Sequence, residues 1–260
     1  MNRLLKLCLV PLALCASLAH AQSSELTGVW LRSSGSNRYP MSQWSPEELP
    51  FTTAGRAVFD ANVPGKGPRQ QMPAFGNDPL GQANPPGLYR TLVYGRPMEL
   101  VQLPDRVIQL FEWGKHWRTI WTDGRAVPDA LVAGPFWYGY SVGVWQGDTL
   151  VVKTVGLDGR AWLDEWGTPY TDLTEVEERW HRKDPETLEL TITVTDPELY
   201  TQPWTSDVKT YSFETPDSLN GELMEQIFAP VDEVQFNEDI RDRAASGPND
   251  RAASGPNATP

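Results

Sequence analysis

Cysteine is almost absent from this chain, since its only two cysteines, Cys8 and Cys15, lie within the first 21 residues. Those residues have the features of an export signal: a basic start at Arg3 and Lys6, a short apolar run, and a small-x-small motif ending at Ala21. A chain cleaved after residue 21 has no thiol, which excludes thiol catalysis, thiolate metal sites and disulfides. We therefore expect a secreted or periplasmic protein that depends on its hydrophobic core alone.

Long apolar runs, positive charge and histidine are also scarce. No segment after the signal approaches the ~20 consecutive apolar residues of a transmembrane helix, so we predict no membrane span. The formal net charge of −12 disfavours nucleic acid and anionic membrane surfaces as partners. His116 and His181 are the only histidines after the signal, and they are too far apart to form a His-x-x-x-His zinc motif. The aspartates do not have the spacing of an EF-hand calcium loop. We predict no metal and no other cofactor.

Motifs for nucleophilic catalysis and nucleotide binding are missing as well. The chain has no Gly-x-Ser-x-Gly elbow, and the nearest segment, "GYSVG" at 139–143, fits the interior of a strand. It also has no Gly-x-Gly-x-x-Gly fingerprint and no Walker loop. These absences leave a binding protein, or an enzyme that works without a cofactor, as the main alternatives.

Turn-forming residues and strand patterns are abundant, with 23 prolines and 21 glycines in the chain. From Arg90 onwards, segments rich in β-branched and aromatic residues alternate with period two, starting with "RTLVYG", "MELVQLP" and "RVIQLFEW". Hairpin turns are predicted at Gly114-Lys115, Gln146-Gly147-Asp148 and Lys183–Glu186. The pattern predicts an all-β protein, a single antiparallel up-and-down β-barrel of about 8–10 strands, because closure removes exposed strand edges.

The domain organisation follows from where this pattern begins and ends. The barrel domain is predicted over residues 22–239, with a long irregular wrapping loop at 36–88 in which one or two helical turns near "SPEELPFTTAGRAVFDANV" are capped by Ser45. The octamer "DRAASGPN" occurs twice in succession at 242–257 and contains no large apolar residue. We therefore predict a disordered tail over residues 240–260.

Aromatic residues supply the candidate ligand site. All 11 tryptophans follow the signal, and Trp113, Trp117 and Trp121 flank the turn at Gly114, which makes them cross-strand neighbours. Each one singly is most simply a core residue, but as a group they exceed what a small core holds, which indicates a cavity. We expect a small, flat, partly apolar molecule to bind there, against a wall formed by Trp117, Trp121, Trp137, Tyr138, Tyr140, Arg118 and His116.

Two family resemblances support a barrel. The Gly-x-Trp motif in "LTGVW" at 26–30 resembles the lipocalin and wider calycin pattern, which implies that Trp30 plugs the barrel base. The order of motifs over residues 96–213, from "RVIQLFEW" to "TLELTITVTDPELYTQPW", resembles an uncharacterised family of exported bacterial proteins with no established activity. Members of that family often have a histidine where Tyr170 stands, so a base at that position is lost here or replaced by the phenol.

The rival hypothesis is a cofactor-independent hydrolase, lyase or isomerase. The loop "GLDGRAWLDEWGTPYTDL" at 156–173 places carboxylates, an arginine and a tyrosine between two strands, where functional residues concentrate. Asp164, Arg160 and Tyr170, with Glu177 on the following strand, are its predicted acid–base residues. A structural ion pair between Arg160 and Asp164 is the commoner alternative. A third possibility is an envelope scaffold with the tail as a tether.

Overall fold

The protein is described by a computed structural model covering residues 25–33, 48–72 and 75–225. The predicted signal at 1–21, the tail at 240–260 and Ser45 lie outside these residues. Ten strands form one sheet. They are β1 Gly28–Arg32, β2 Met98–Gln102, β3 Arg106–Phe111, β4 His116–Trp121, β5 Tyr140–Gln146, β6 Thr149–Val155, β7 Glu175–Asp184, β8 Thr187–Thr195, β9 Trp204–Thr205 and β10 Lys209–Glu214.

The sheet closes into a barrel of nine strands, which confirms the predicted fold class. Strand β1 pairs with β2 on one side and with β10 on the other, and β10 also pairs with β8. The short β9 continues the outer edge of β8 beyond β10. A closed ring with an odd number of strands cannot be antiparallel throughout, and the parallel contact here joins β4 and β5. The expectation of a purely up-and-down antiparallel barrel is therefore corrected at this pair.

Alternation along the strands sends every second side chain into the barrel. In β8, Leu188, Leu190, Ile192 and Val194 are all fully buried, while the threonines and Glu189 between them are partly exposed. The largest buried side chains, including Trp30, Trp180 and Tyr211, point into the same interior. Trp30 also donates its Nε1–H to the carbonyl of Leu26 at 2.9 Å. The interior is thus filled by side chains of the barrel itself.

The two ends of the barrel differ. At one end, tight turns join β2 to β3, β5 to β6 and β7 to β8. The β5–β6 and β7–β8 turns lie at the positions that the sequence predicted. The other end, here called the loop end, carries the connections 33–97, 112–115, 156–174 and 196–208. Loops on a rigid barrel are the usual location of functional sites.

The described part of the connection from β1 to β2 contains α1 Thr53–Ala61, a 3-10 helix Pro79–Gln82 and α2 Leu88–Val93. Helical turns were predicted near α1, and its N-cap is Thr52, whose hydroxyl accepts from the Gly55 N–H. The predicted strand "RTLVYG" is wrong, because residues 88–93 form α2. All six α2 residues are buried, and the Tyr211 hydroxyl inside the barrel donates to the Leu92 carbonyl at 2.6 Å. Helix α2 therefore covers the loop end of the barrel interior.

A charged cluster lies at the centre of the apolar interior. Arg118 on β4 binds both carboxylate oxygens of Glu178 on β7, at 2.8 and 2.5 Å. Gln109 accepts from Arg118 Nε at 2.7 Å, and Trp180 donates to Glu178 at 2.9 Å. Arg118 and Glu178 are 4% and 0% exposed, so water cannot replace any of these bonds. Such a pair is tolerated because every charged oxygen has donors.

We predict that Glu178→Gln lowers the free energy of unfolding by about 3–5 kcal/mol, because it leaves the Arg118 charge buried without a counter-charge. The control is Glu177→Gln, one residue earlier on the exposed outer face of β7, which is expected to change stability by less than about 0.5 kcal/mol. Urea unfolding followed by tryptophan fluorescence measures both. Equal effects at the two positions would contradict the role given to the pair.

A second buried charge, Lys209 on β10, makes stability depend on pH. Its ammonium contacts the Asp207 carboxylate and has no exposed surface. Burial lowers the pKa of Lys209 to about 8, although the bond to Asp207 acts in the opposite direction. An unfolded lysine has a pKa near 10.5, so between these values the unfolded state binds more protons than the folded state. The cost of burying the charge is complete below pH 8 and fades as the pH rises towards 10.5.

We therefore expect the stability of the native protein to rise relative to that of a Lys209→Met variant between pH 8 and pH 10. The relative gain between pH 8 and pH 10 should be about 2 kcal/mol, because each pKa unit corresponds to about 1.4 kcal/mol and the folded Lys209 is already half deprotonated at pH 8. Urea unfolding of both proteins across this range measures the difference and cancels groups that they share. Parallel stability curves would show that Lys209 keeps an ordinary pKa.

Candidate functional site

A cleft lies at the loop end, between the connection that precedes α2 and the turn that joins β3 to β4. Its volume is about 260 Å³, and its lining has far more apolar than polar surface. Because large side chains occupy the barrel interior, this cleft is a place where the described residues offer an apolar surface to a small molecule. We call it the rim cleft; it is lined by Leu80, Ala83, Asn84, Pro85, Pro86, Trp113, Gly114 and His116.

Local geometry holds the first wall of the rim cleft in place. Asp78 caps the 3-10 helix by accepting from the Leu80 N–H at 3.0 Å, and it also binds both terminal nitrogens of Arg90 on α2 at 2.8 Å. The helix ends at Ala83, which has a left-handed conformation with a φ of 61°. Pro85 and Pro86 then carry the chain stiffly towards α2. The wall is therefore fixed to the helix that closes the barrel.

The second wall comes from the β3–β4 turn. Gly114 has a φ of 76°, which suits glycine, and Trp113 begins the short 3-10 helix Trp113–Lys115 between the two strands. The Trp113 indole stacks on Tyr94 with ring centroids 4.2 Å apart. His116 begins β4, and its ring lies 5.1 Å from the ring of Tyr138. An aromatic surface thus continues from the cleft towards the barrel interior.

The titratable groups beside the cleft favour their neutral forms. Burial lowers the pKa of His116, so its imidazole is uncharged at neutral pH. Burial also raises the pKa of Tyr138, whose hydroxyl lies 3.5 Å from that of Thr91. Tyr138 stacks on Phe111 inside the barrel at 5.8 Å. The rim cleft therefore offers uncharged aromatic surface with hydrogen-bonding groups at its edge.

The predicted ligand-binding residues divide into those near the cleft and those away from it. His116 lines the cleft and Tyr138 contacts its ring, whereas Trp137 is half-buried under the guanidinium of Arg160 at 4.6 Å. Arg118 lies inside the barrel and is fully engaged with Glu178 and Gln109. It is therefore not accessible to orient a ligand.

The predicted wall residues Trp117, Trp121 and Tyr140 lie on the outer face of the barrel, and their expected position inside a cavity is wrong. Trp117 is 64% exposed. Trp121 is held between the guanidinium groups of Arg106 and Arg125, at 4.4 and 3.6 Å from the ring, and Tyr140 accepts from Arg125 at 2.9 Å. The alternation that placed the indoles on one face was right, but that face points outwards because Arg118 and Ile120 point inwards.

The four predicted acid–base residues do not meet in one cavity. Asp164 is buried, and its carboxylate accepts from the N–H groups of Trp166 and Thr168 and from the Thr168 hydroxyl. Burial raises the pKa of Asp164, and these donors oppose the shift. Arg160 pairs with Asp158 at 2.6 Å and not with Asp164. Asp164 therefore serves its own loop, and the expected Arg160–Asp164 ion pair does not form.

Glu177 and Tyr170 are also apart from this carboxylate. Glu177 lies on the exposed outer face of β7, 3.6 Å from Arg179. Tyr170 is 5% exposed, and burial raises its pKa. Its hydroxyl has no hydrogen-bond partner in the described part of the chain. The geometry gives no common point at which these groups would act on one substrate.

The sequence pattern missed Leu80, Pro85 and Pro86, because they lie in the region predicted to be an irregular loop. A proline pair before a buried run was the available signal, but which surface it faces depends on the path of the whole 33–97 connection. Among the described residues, no group of histidine and acidic side chains is arranged to hold a metal ion. Within the same residues, no helix has the length and apolar character to cross a bilayer.

We predict that Tyr170→Phe leaves stability unchanged or raises it by up to about 1–3 kcal/mol, because it removes a buried hydroxyl that has lost its water without gaining a bond. Tyr200→Phe is the matched control, because the buried Tyr200 hydroxyl donates to the Pro169 carbonyl at 2.7 Å. That control should lose about 1 kcal/mol. Urea unfolding measures both, and a loss in Tyr170→Phe as large as in the control would show that the hydroxyl is bonded.

Comparison of the chain with protein-family models, with curated proteins and with solved structures finds no match. The argument for function therefore depends on the residues of the site itself.

Proposed function

We propose that this chain is an exported, lipocalin-like binding protein that holds one small, uncharged, largely apolar molecule in the rim cleft. Export and the relation to exported bacterial barrel proteins are supported by the signal-like residues 1–21 and by the order of motifs in the sequence. The observation that carries the binding proposal is the placement of the Trp113 indole and the His116 imidazole on one wall of an apolar cleft.

The packing of the barrel favours ligand binding in the rim cleft over binding inside the barrel. In lipocalin-type barrels the interior holds the ligand, but here large side chains such as Trp30, Trp180 and Tyr211 occupy it and are at most 1% exposed. Helix α2 also closes the loop end above them. A ligand in the rim cleft contacts the aromatic cluster without displacing the core.

The chemistry of the lining selects an uncharged ligand. None of the described residues that line the cleft is an acid, a lysine or an arginine, and His116 is neutral at pH 7 because burial lowers its pKa. A charged ligand would lose its hydration and gain no counter-charge. The Asn84 amide and the imidazole remain as hydrogen-bonding groups that fix orientation.

The volume limits the ligand to a compact one. A cavity of about 260 Å³ lies just below the ~300–1,000 Å³ of typical drug-sized sites, so it suits one or two fused rings. Stacking on Trp113 would add to the burial of apolar area, which is worth about 25 cal/mol per Å². Micromolar affinity is the scale expected for such a ligand.

The test uses 1-naphthylamine, a neutral aromatic probe of two fused rings whose fluorescence emission changes when it leaves water. We expect the native chain to bind it saturably and Trp113→Ala to bind it at least tenfold more weakly, because the substitution removes the stacking surface. Fluorescence titration gives both dissociation constants.

Trp117→Ala is the matched control, because it deletes the exposed indole on the opposite side of the same turn. It should bind the probe like the native protein. Absence of saturable binding by the native chain, or an equal loss in the two variants, would refute the rim cleft as the ligand site.

A further inference from the structure

A second cavity at the loop end has the opposite character from the rim cleft. It has a volume of about 280 Å³ and lies where the end of β1, the end of α2 and the loop at 164–165 converge. A more open hollow of about 590 Å³ shares Arg32 and Gly95 with it. We call it the arginine cavity; it is lined by Arg32, Arg90, Val93, Tyr94, Gly95, Asp164 and Glu165.

Arg32 brings a positive charge that the surrounding protein does not neutralise. It ends β1, two residues after Trp30, so its side chain is directed to the barrel side of the strand. Its Nε–H is buried without an acceptor, and within the described ranges its guanidinium makes no ion pair or hydrogen bond. Lys209 also lies close enough for its charge to interact with that of Arg32, and the counter-charge of Lys209 is Asp207.

Arg90 brings a second donor that has no acceptor. This side chain is 6% exposed and lies on α2. Asp78 takes its two terminal nitrogens at 2.8 Å, but the Nε–H is buried and lacks a partner in the described part of the chain. A buried donor left without an acceptor is costly and uncommon in proteins, so two of them around one cavity need an explanation.

The carboxylates of the cavity wall do not supply these acceptors. Asp164 is bonded to Trp166 and Thr168 within its own loop. Glu165 accepts from Lys66 at 3.0 Å. Neither acidic group bonds to Arg32, so the N–H groups of Arg32 are left to face the cavity.

We propose that the arginine cavity binds a compact oxyanion, a carboxylate or a phosphate group, with Arg32 as its main ligand and Arg90 Nε as a supporting donor. A guanidinium presents planar, parallel N–H groups that match two oxygens of either anion. An anion here would satisfy both orphaned donors and neutralise Arg32. The net negative charge of the protein acts against it over long distances, but salt screens that field beyond about 10 Å.

The oxyanion site does not depend on the proposed function of the rim cleft. The two cavities are neighbours, because Tyr94 lines the arginine cavity and stacks on Trp113 of the rim cleft. Each has its own lining and its own chemistry, so one can fail while the other holds.

The experiment titrates the full chain with sodium phosphate and, separately, with sodium acetate, at constant ionic strength set by sodium chloride. Isothermal calorimetry gives the affinity, and the arginine Nε–H signals in nitrogen-15 NMR spectra locate the site. We expect saturable binding of at least one anion, with shifts of the Arg32 and Arg90 Nε–H signals that follow the same dissociation constant. The stronger of the two anions identifies the ligand class.

Arg32→Gln should weaken binding at least tenfold, because it removes the positive charge and the planar pair of guanidinium N–H groups. Arg179→Gln is the matched control, since it makes the same change on the exposed outer face of β7. Arg32→Lys keeps the charge without the planar fork and should retain part of the affinity.

The proposal is overturned if neither anion binds saturably, or if the Arg32 and Arg90 Nε–H signals of the native protein stay unmoved while calorimetry records binding. It is also overturned if Arg179→Gln weakens binding as much as Arg32→Gln. Should Arg32→Gln fail to fold, the signals of the unaltered protein decide the question on their own.

Discussion

Closure of the ring through β1 is the constraint on which the rest of this structure depends. Strand β1 has only five residues, yet it carries the hydrogen bonds to β2 on one side and to β10 on the other. Nine strands in a ring require a parallel contact, which here joins β4 and β5. The 122–139 segment returns the chain from the end of β4 to the opposite end of the barrel, where β5 begins. Only two pairs of residues face each other between β4 and β5, against seven between β5 and β6. The β4–β5 contact is therefore the shortest strand pairing of the barrel.

A closed ring fixes the volume inside it, and this chain fills that volume with side chains. The indoles of Trp30 and Trp180, the aliphatic row of β8 and the Arg118–Glu178 pair leave the axis to the core. A buried ion pair contributes little net stability against apolar residues of equal size, but losing one partner is costly. The pair therefore makes the register of β4 against β7 specific, since a slip by one residue would put a charge into the core without its partner.

With large side chains in the interior, two cavities of the described residues lie at the loop end, where helix α2 closes the barrel. The same helix organises both cavities there. Its Arg90 holds Asp78, which caps the wall of the rim cleft, and its end forms one side of the arginine cavity. An apolar cleft and a cavity lined by two arginines and two acidic residues thus share one structural support, and both lie beside the aromatic stack of Tyr94 and Trp113.

The sequence by itself determined the class of fold, because alternation with period two and turn-forming residues are local properties. It located the hairpins at Gly114, Gly147 and Pro185 and the strand faces of β4, including the grouping of Trp117 with Trp121. It also grouped His116 with Tyr138, whose rings are neighbours in the structure. What it could not determine is which face of a strand is inside, because that depends on the neighbours of the strand across the ring.

Only the tertiary structure decided that Arg118 points inwards and the two indoles outwards, since Glu178 is 60 residues away along the chain. It also decided that residues 88–93 form a helix, because a short apolar run fits a buried strand and a buried helix equally well until its surroundings are known. Both cavities combine residues from segments far apart in sequence. Their chemistry depends on which donors and charges remain without partners, and that is known only when every contact has been made.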